Sequence, residues 1–251
     1  MHPKDEYGIY LKYYQTYFRN WDKQAEIDYN NNEIRQKGRS EFFALAFDYL
    51  SDNQIQGDYM EFGCHKARTF RMALSEARRK NFDFMNFWAF DSFEGMPEMK
   101  DNDTMDGHLQ KGDLYTSLER FKELINAHGL YLDKINYVKG FYENSLNDKK
   151  LITEFKQANK KIALVYIDCH IYSATACVLD FILRTKTLQD GCLVVLNSWN
   201  AYKANPNKGQ RLAFREFQNK INSSGRGKWS FEEYRKFSSI STSFIAQKLN
   251  S

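Results

Sequence analysis

Tyr59-Met60-Glu61-Phe62-Gly63-Cys64-His65-Lys66-Ala67-Arg68-Thr69-Phe70 reads as a buried strand, a sharp turn at a glycine, and the start of a helix. Met60 and Phe62 are apolar, and Glu61 stands at the carboxyl end of the strand. Gly63 lacks a Cβ, so a ligand can approach its backbone closely. The helix that follows carries Phe70, Met72, Ala73 and Leu74 and offers free N–H groups to the same space. In a parallel α/β sheet, ligands bind beyond the carboxyl ends of the strands, where strand order reverses. A nucleoside-bearing cofactor is therefore expected at this turn. An acidic strand end suits a cationic amino group, which favours S-adenosylmethionine over a dinucleotide.

The pattern repeats on either side. Arg39 to Leu50 is expected to be helical, with Phe42, Phe43, Leu45, Ala46 and Leu50 inward. Asn86-Phe87-Trp88-Ala89-Phe90-Asp91 reads as a second strand that ends in a carboxylate. An acid one βα unit beyond Gly63 can accept hydrogen bonds from both ribose hydroxyls; the competing reading of Asp91 is a helix N-cap. Residues 98–113, rich in Asp, Asn and Gly, are expected to form a mobile loop at the mouth of the site. Tyr115 to His128 is expected to be a helix capped by Gly129. Ile135 to Gly140 is a third strand, after which Phe141-Tyr142 either walls an adenine or packs in the core.

Ile162-Ala163-Leu164-Val165-Tyr166-Ile167 is a fully apolar fourth strand that runs into Asp168-Cys169-His170. A helix over Ser173–Arg184 is followed by a fifth strand over Gly191–Leu196 that ends at Asn197-Ser198. Another helix over Lys208–Ile221 and two closing strands, Trp229–Phe237 and Ser243–Leu249, complete the chain. Five β-then-α units with a terminal hairpin predict a doubly wound, mostly parallel seven-stranded α/β sheet, Rossmann-like, of the class I methyltransferase kind. The dinucleotide fingerprint G-x-G-x-x-G and the Walker A loop are both absent from the sequence.

Composition limits the alternatives. The chain has 251 residues, 40 of them aromatic (20 Phe, 16 Tyr and 4 Trp) and only three of them proline, which fits one large globular domain and not a disordered chain. With 36 basic and 32 acidic residues the net charge is +4, so nucleic acid is not an expected partner. Cys64, Cys169, Cys177 and Cys192 form no C-x-x-C pair and read as free thiols. No apolar run approaches the roughly 20 residues of a membrane span, and the N-terminus lacks a signal core; a soluble, cytoplasmic protein is expected. Tyr10, Tyr13, Tyr14, Tyr17, Phe18 and Trp21 share one helical face. That stripe reads as a core-packing face, a homodimer contact or a lid. The expected organisation is an N-terminal helical extension over 1–35, ended by an Asn-rich break at 28–32, and a methyltransferase domain over 36–251.

Four ordered motifs carry a resemblance: Tyr59–Gly63, Phe90-Asp91-Ser92-Phe93-Glu94-Gly95-Met96-Pro97, Gly140-Phe141-Tyr142, and Ile167-Asp168-Cys169-His170-Ile171-Tyr172. Together they resemble the macrocin O-methyltransferase (TylF/MycF-like) family, over about Arg39 to Phe217. The resemblance implies a class I fold, S-adenosylmethionine as cofactor and a saccharide or sugar-bearing small molecule as acceptor. It places Glu61 and Gly63 at the methionine end of the cofactor, Asp91 on the ribose, and Ser92 and Phe93 around the adenosine; Phe141 is the further cofactor candidate read from the residues themselves. Asp168 falls beside the transferred methyl group, at a position that in the family is both a metal ligand and the base. Tyr172 and Asn197 fall on the acceptor side.

Three departures from the family pattern stand out. Ala67 replaces a frequent glycine, His170 replaces the second acid of Asp-x-Asp-Leu-Tyr, and Asn197-Ser198 replaces an Asp-Asp pair. Mg²⁺ prefers charged oxygen ligands, so the last change removes two of its expected carboxylates and no metal site is assigned. Asp168 and His170 are then the candidate catalytic residues, with either as the base and the other reading of His170 a structural, hydrogen-bonded histidine. The alternative function is a methyltransferase-like cofactor-binding protein that no longer turns over. His65 and His108 are secondary candidates near the site.

Overall fold

The structure is a computed structural model that describes residues 23–99, 103, 109–225 and 227–249. In chain order the elements are α1 (Lys23–Asp52), β1 (Asp58–Phe62), α2 (Arg68–Arg79), β2 (Phe87–Asp91), α3 (Leu118–His128), β3 (Ile135–Lys139), α4 (Tyr142–Ser145) and α5 (Lys149–Gln157). There follow β4 (Ile162–Ile167), α6 (Tyr172–Thr185), β5 (Leu193–Leu196), α7 (Gly209–Ser223), β6 (Lys228–Lys236) and β7 (Thr242–Leu249). The seven strands make one sheet in the order β3-β2-β1-β4-β5-β7-β6. β1 to β5 run parallel, and β7 joins β5 antiparallel, with β6 outside it. The class I methyltransferase architecture expected from the sequence is therefore present, closing hairpin included.

Strand order reverses between β1 and β4, which are direct neighbours. Their carboxyl ends, at Gly63 and Asp168, define the crevice where such sheets bind ligands. Both faces of the sheet are covered, so the central strands are apolar on both sides. One face packs Phe42, Phe43 and Phe47 of α1, Phe70 and Leu74 of α2 and Phe121 of α3 over Tyr59, Phe87 and Tyr166. The other packs Phe155 of α5, Phe181 of α6 and Phe214 and Phe217 of α7 over Met60, Phe62, Phe90 and Val165. At roughly 1.5–3 kcal/mol for each large side chain fully removed from water, these two layers fix the strand ends that carry the site.

One expectation at the N-terminal side needs correction. The Asn-rich 28–32 segment is not a break: α1 runs through it without interruption. An asparagine in a helix interior costs less than about 1 kcal/mol relative to alanine. That is small against the anchoring of the same helix by Phe42, Phe43 and Phe47, each essentially inaccessible to solvent. The aromatic stripe Tyr10–Trp21 and His108 lie outside the described residues, as does half of the 98–113 loop. Within that loop Asp103 is buried, and its carboxylate accepts from the backbone N–H (2.9 Å) and hydroxyl (2.6 Å) of Ser173 at the start of α6.

Candidate active site

The β1–α2 turn is built by close backbone approach. Gly63 has φ +89°, and a Cβ there would lie 2.5 Å from the Asp168 carbonyl oxygen. The Asp168 N–H donates to the Phe62 carbonyl (2.8 Å) and the Gly63 N–H to the Phe90 carbonyl (3.0 Å), so the three strand ends are stitched together. Ala67, at the position where the resemblance leads one to expect glycine, caps α2 in the left-handed region with φ 55°. That conformation costs a non-glycine residue about 1–2 kcal/mol, which explains the family's glycine.

Asp91 faces this turn from the end of β2. Its Oδ2 accepts from the backbone N–H groups of Cys64 (2.7 Å) and His65 (3.2 Å), and its Oδ1 from that of Phe93 (2.8 Å). A carboxylate has about four acceptor sites, so capacity remains on the cavity side, which Asp91 lines. It is not a helix cap. Ser92 also lines the cavity and bonds its own loop, donating to the Gly95 carbonyl at 2.9 Å. Phe141 lines the same wall, at the N-cap of α4. His65 joins the turn to the loop beyond it: Nδ1 lies 2.7 Å from the Leu114 carbonyl, and burial holds its pKa below the ordinary histidine value.

Three expected site residues stand off the cavity wall. Glu61 is wholly buried. It shares the face of β1 with Tyr59, two residues away, and accepts hydrogen bonds from the hydroxyls of Tyr59 and Thr69, the latter at 2.7 Å. Thr69, not Glu61, lines the cavity. Phe93 is buried and edge-on to Phe121. Tyr172 turns toward α7, where its hydroxyl donates to Glu216 at 2.8 Å.

Asp168 and His170 do converge. His170 is not on an extended strand end, because β4 stops at Ile167 and His170 has φ 46°. Its Nε2 lies 3.6 Å from Asp168 Oδ1, and its Nδ1 lies 2.5 Å from Ser198 Oγ. Asn197 Nδ2 donates to Asp168 Oδ1 at 2.6 Å, while its Oδ1 accepts from Tyr166 (2.8 Å) and Ser241 (2.8 Å). Burial holds the Tyr166 phenol well above its ordinary pKa, so it is a neutral donor. Ser198 is fixed in turn by Gln210, which accepts from its N–H at 2.8 Å.

Asp168, His170 and Asn197 share one cavity of about 870 Å³ with Gly63 and Asp91. One end holds Gly63, Asp91, Ser92 and Phe141; the other holds Asp168, His170 and Asn197 with Arg35 and Arg39 of α1 and the Phe237–Ser241 turn. Arg39, which reading the chain by its apolar positions does not single out, places Nη2 3.9 Å from Asp168 Oδ2. Gly38 permits this: a Cβ there would overlap the Phe237 carbonyl oxygen. Among the described residues the donor set around Asp168 does not suit Mg²⁺: the amide oxygen of Asn197 faces Tyr166 and Ser241. Among the described residues no three His, Cys, Asp or Glu side chains are gathered around one point that could take a metal.

Cys64, Cys169 and Cys192 are buried free thiols and Cys177 is half-buried. Burial pushes Cys169 and Cys192 up to about 12, so neither is a ready nucleophile. No helix among the described residues is long and apolar enough to cross a membrane.

The chain is similar to several known proteins. It is 23% identical over 150 residues to the 8-demethyl-8-(2,3-dimethoxy-alpha-L-rhamnosyl)-tetracenomycin-C 4'-O-methyltransferase of Streptomyces olivaceus. That match spans 58% of this chain and 54% of the relative, about half its length. Among solved structures, the calicheamicin methyltransferase CalS11 superposes with a TM-score of 0.68 at 16% identity, over 96% of this chain and 93% of that one. The O-methyltransferase NovP does so with 0.64 at 16% identity, over 84% and 80%. These likenesses establish the fold independently of the strand count. The model of the macrocin-O-methyltransferase (TylF) family matches residues 33–224, which include every strand from β1 to β5, and the chain belongs to that family.

Proposed function

We propose that the protein is an S-adenosylmethionine-dependent O-methyltransferase that acts on a hydroxyl of a sugar or sugar-bearing small molecule, without Mg²⁺. The observation that carries the reading is the meeting of Asp168 and His170 at the switch point, in the same cavity as Gly63 and Asp91. Family membership and the sugar-directed relative support it.

The residues present fit this cofactor. The bare backbone of Gly63 and the N-terminus of α2 suit the methionine end, Asp91 suits the ribose hydroxyls, and Phe141 suits the adenine. The bound cofactor supplies an electrophilic methyl group on a sulfonium. The protein's own part is to align the acceptor oxygen with that methyl and remove its proton, and alignment supplies much of the rate. His170 Nε2 is the base in this scheme, since Nδ1 is engaged by Ser198 and Nε2 faces the gap beside Asp168. A gap of 3.6 Å is too long for a direct hydrogen bond and leaves an acceptor hydroxyl able to reach both groups. Asn197 and Arg39 hold the Asp168 carboxylate where it supports the imidazolium that forms. With Glu61, Phe93 and Tyr172 turned away from the cavity, their parts are indirect: Glu61 holds Thr69, Phe93 shapes the Asp91 loop, and Tyr172 anchors α6 to α7.

In the same proposal the first 35 residues act as a lid or homodimer contact. Four cysteines held as thiols suit the reducing cytoplasm.

The test is methyl transfer to a panel of free and nucleotide-linked sugars, with and without EDTA, alongside calorimetry with S-adenosylhomocysteine. Turnover that survives EDTA is the expected result. Loss of turnover in EDTA overturns the metal-free mechanism. Cofactor binding without turnover on any acceptor favours the second reading, a cofactor-binding protein without catalysis, which the replacement of two acids by Asn197 and Ser198 motivates.

A further inference from the structure

The acceptor end of the cavity carries more positive charge than the proposed chemistry consumes. Arg35 and Arg39 are one helical turn apart on α1, with Cβ atoms about 5–6 Å apart, and both line the cavity. Arg68, the first residue of α2 and thus beside the turn proposed for the methionine end, lines the cavity too. Its Nη1 donates to Asn32 Oδ1 at 3.2 Å, which holds it beside α1 one turn from Arg35. Like charges at this spacing repel. Among the described residues Asp168, at 3.9 Å from Arg39, is the carboxylate at ion-pair distance from the three; Asp91, Glu98 and Glu143 line the same cavity. Arg35 has no carboxylate partner among the described residues.

The cofactor does not account for the surplus. Its methionine end offers one carboxylate, and its ammonium and sulfonium are themselves cationic. Planar guanidinium forks match phosphate and carboxylate oxygens in pairs. A lone carboxylate is satisfied by one such fork, whereas a phosphate, with more oxygens and more charge, engages several.

We propose that Arg35, Arg39 and Arg68 form the seat of a phosphate carried by the acceptor, so that the saccharide is presented as a phosphate ester or nucleoside diphosphate and not as a neutral sugar. The proposal rests on the methyltransferase reading and deepens it. Arg39 lies between the two functions: it touches Asp168 on one side and faces the phosphate seat on the other. An acceptor clamped there by its phosphate would present its ring to the His170–Asp168 gap.

The experiment is calorimetry on the full-length protein, with and without saturating S-adenosylhomocysteine. The probes are inorganic pyrophosphate, uridine diphosphate, glucose 1-phosphate and methyl glucuronide. At least one phosphate probe is expected to bind, more weakly as salt rises. Its affinity should fall by about tenfold or more in Arg35→Ala, the loss of one charge-assisted pair, while S-adenosylhomocysteine affinity changes by less than about twofold. Glucose 1-phosphate against uridine diphosphate separates a monoester seat from a diphosphate one. If the wild-type protein binds the homocysteine product but no phosphate probe, or prefers the glucuronide, the seat is refuted and the methyltransferase reading stands. If Arg35→Ala weakens product and phosphate binding alike, the arginines serve the cofactor carboxylate and the seat is refuted. If the product does not bind at all, the methyltransferase reading fails, and the cofactor-free titrations alone decide whether the arginines bind phosphate.

Discussion

Asn197 presents its amide nitrogen, not its oxygen, to Asp168: Nδ2 is 2.6 Å from Oδ1. The orientation follows from chemistry. A carboxylate accepts only, and the amide oxygen on the other side meets two hydroxyl donors, Tyr166 and Ser241. Where a second acid would attract a divalent cation, a neutral amide instead donates to the carboxylate.

Asn197→Asp should reverse this. Two carboxylates at that separation repel, and one of them takes up a proton or a cation. The variant is expected to melt at a lower temperature than wild type in EDTA and to recover in millimolar Mg²⁺, whereas the wild-type melting temperature should ignore Mg²⁺. A wild-type protein stabilised by Mg²⁺ would refute the account of the donor set.

His170→Ala should leave S-adenosylhomocysteine binding intact and cut single-turnover methyl transfer by about 10²–10⁴, the usual worth of a general base. Ser198→Ala should cost less, because it frees the ring to rotate without removing it. An unchanged rate in His170→Ala moves the base role to Asp168.

Asp91→Ala should weaken the cofactor by about tenfold or more, since a hydrogen bond to a charged group contributes about 1.5–3 kcal/mol. The same change leaves the N–H groups of Cys64, His65 and Phe93 without their partner. Calorimetry with S-adenosylhomocysteine checks it; an affinity within twofold of wild type removes Asp91 from the cofactor site.

Burial pushes the Glu61 carboxyl from its ordinary 4.5 up to about 8, against the hydrogen bonds from Tyr59 and Thr69 that lower it. The folded chain therefore keeps a proton that the unfolded chain has lost between those two values. The stability contributed by the neutral carboxyl is complete below pH 4.5 and is lost as pH rises through 8. Glu61→Gln, which stays neutral, should gain melting temperature relative to wild type between pH 5 and 8.5. Parallel profiles for the two proteins would show that Glu61 does not titrate there.

The sheet was legible because its strands announce themselves. Ile162–Ile167 is apolar throughout and ends at Asp168, and Phe87–Asp91 has the same form. The turn at Gly63 and the carboxylate at Asp91 follow from those ends. Side-chain direction was harder to read. Glu61 has the parity of Tyr59, but both faces of β1 are buried, so alternation leaves no trace in the hydrophobic pattern and the strand end alone suggested an open site. Phe93 and Tyr172 follow strand ends in loops or first turns, where periodicity gives no orientation. The partners of His170 were hidden for another reason: Ser198 is 28 residues away and arrives through the pairing of β4 with β5. The signal for the basic end was present in the Arg35-x-x-x-Arg39 spacing, which a reading of α1 by its phenylalanines passes over.

The contact of Gly38 with Phe237 joins the first described helix to the hairpin near the end of the chain. On the proposed function, the cofactor end of the cavity comes from consecutive βα units, whereas the acceptor end adds α1 and the turn between β6 and β7, remote from each other in sequence, to the ends of β4 and β5. If the proposed function holds, exchanging α1 and the closing hairpin for those of another family member should alter acceptor choice while sparing the cofactor end, so that substrate choice evolves as an exchangeable part.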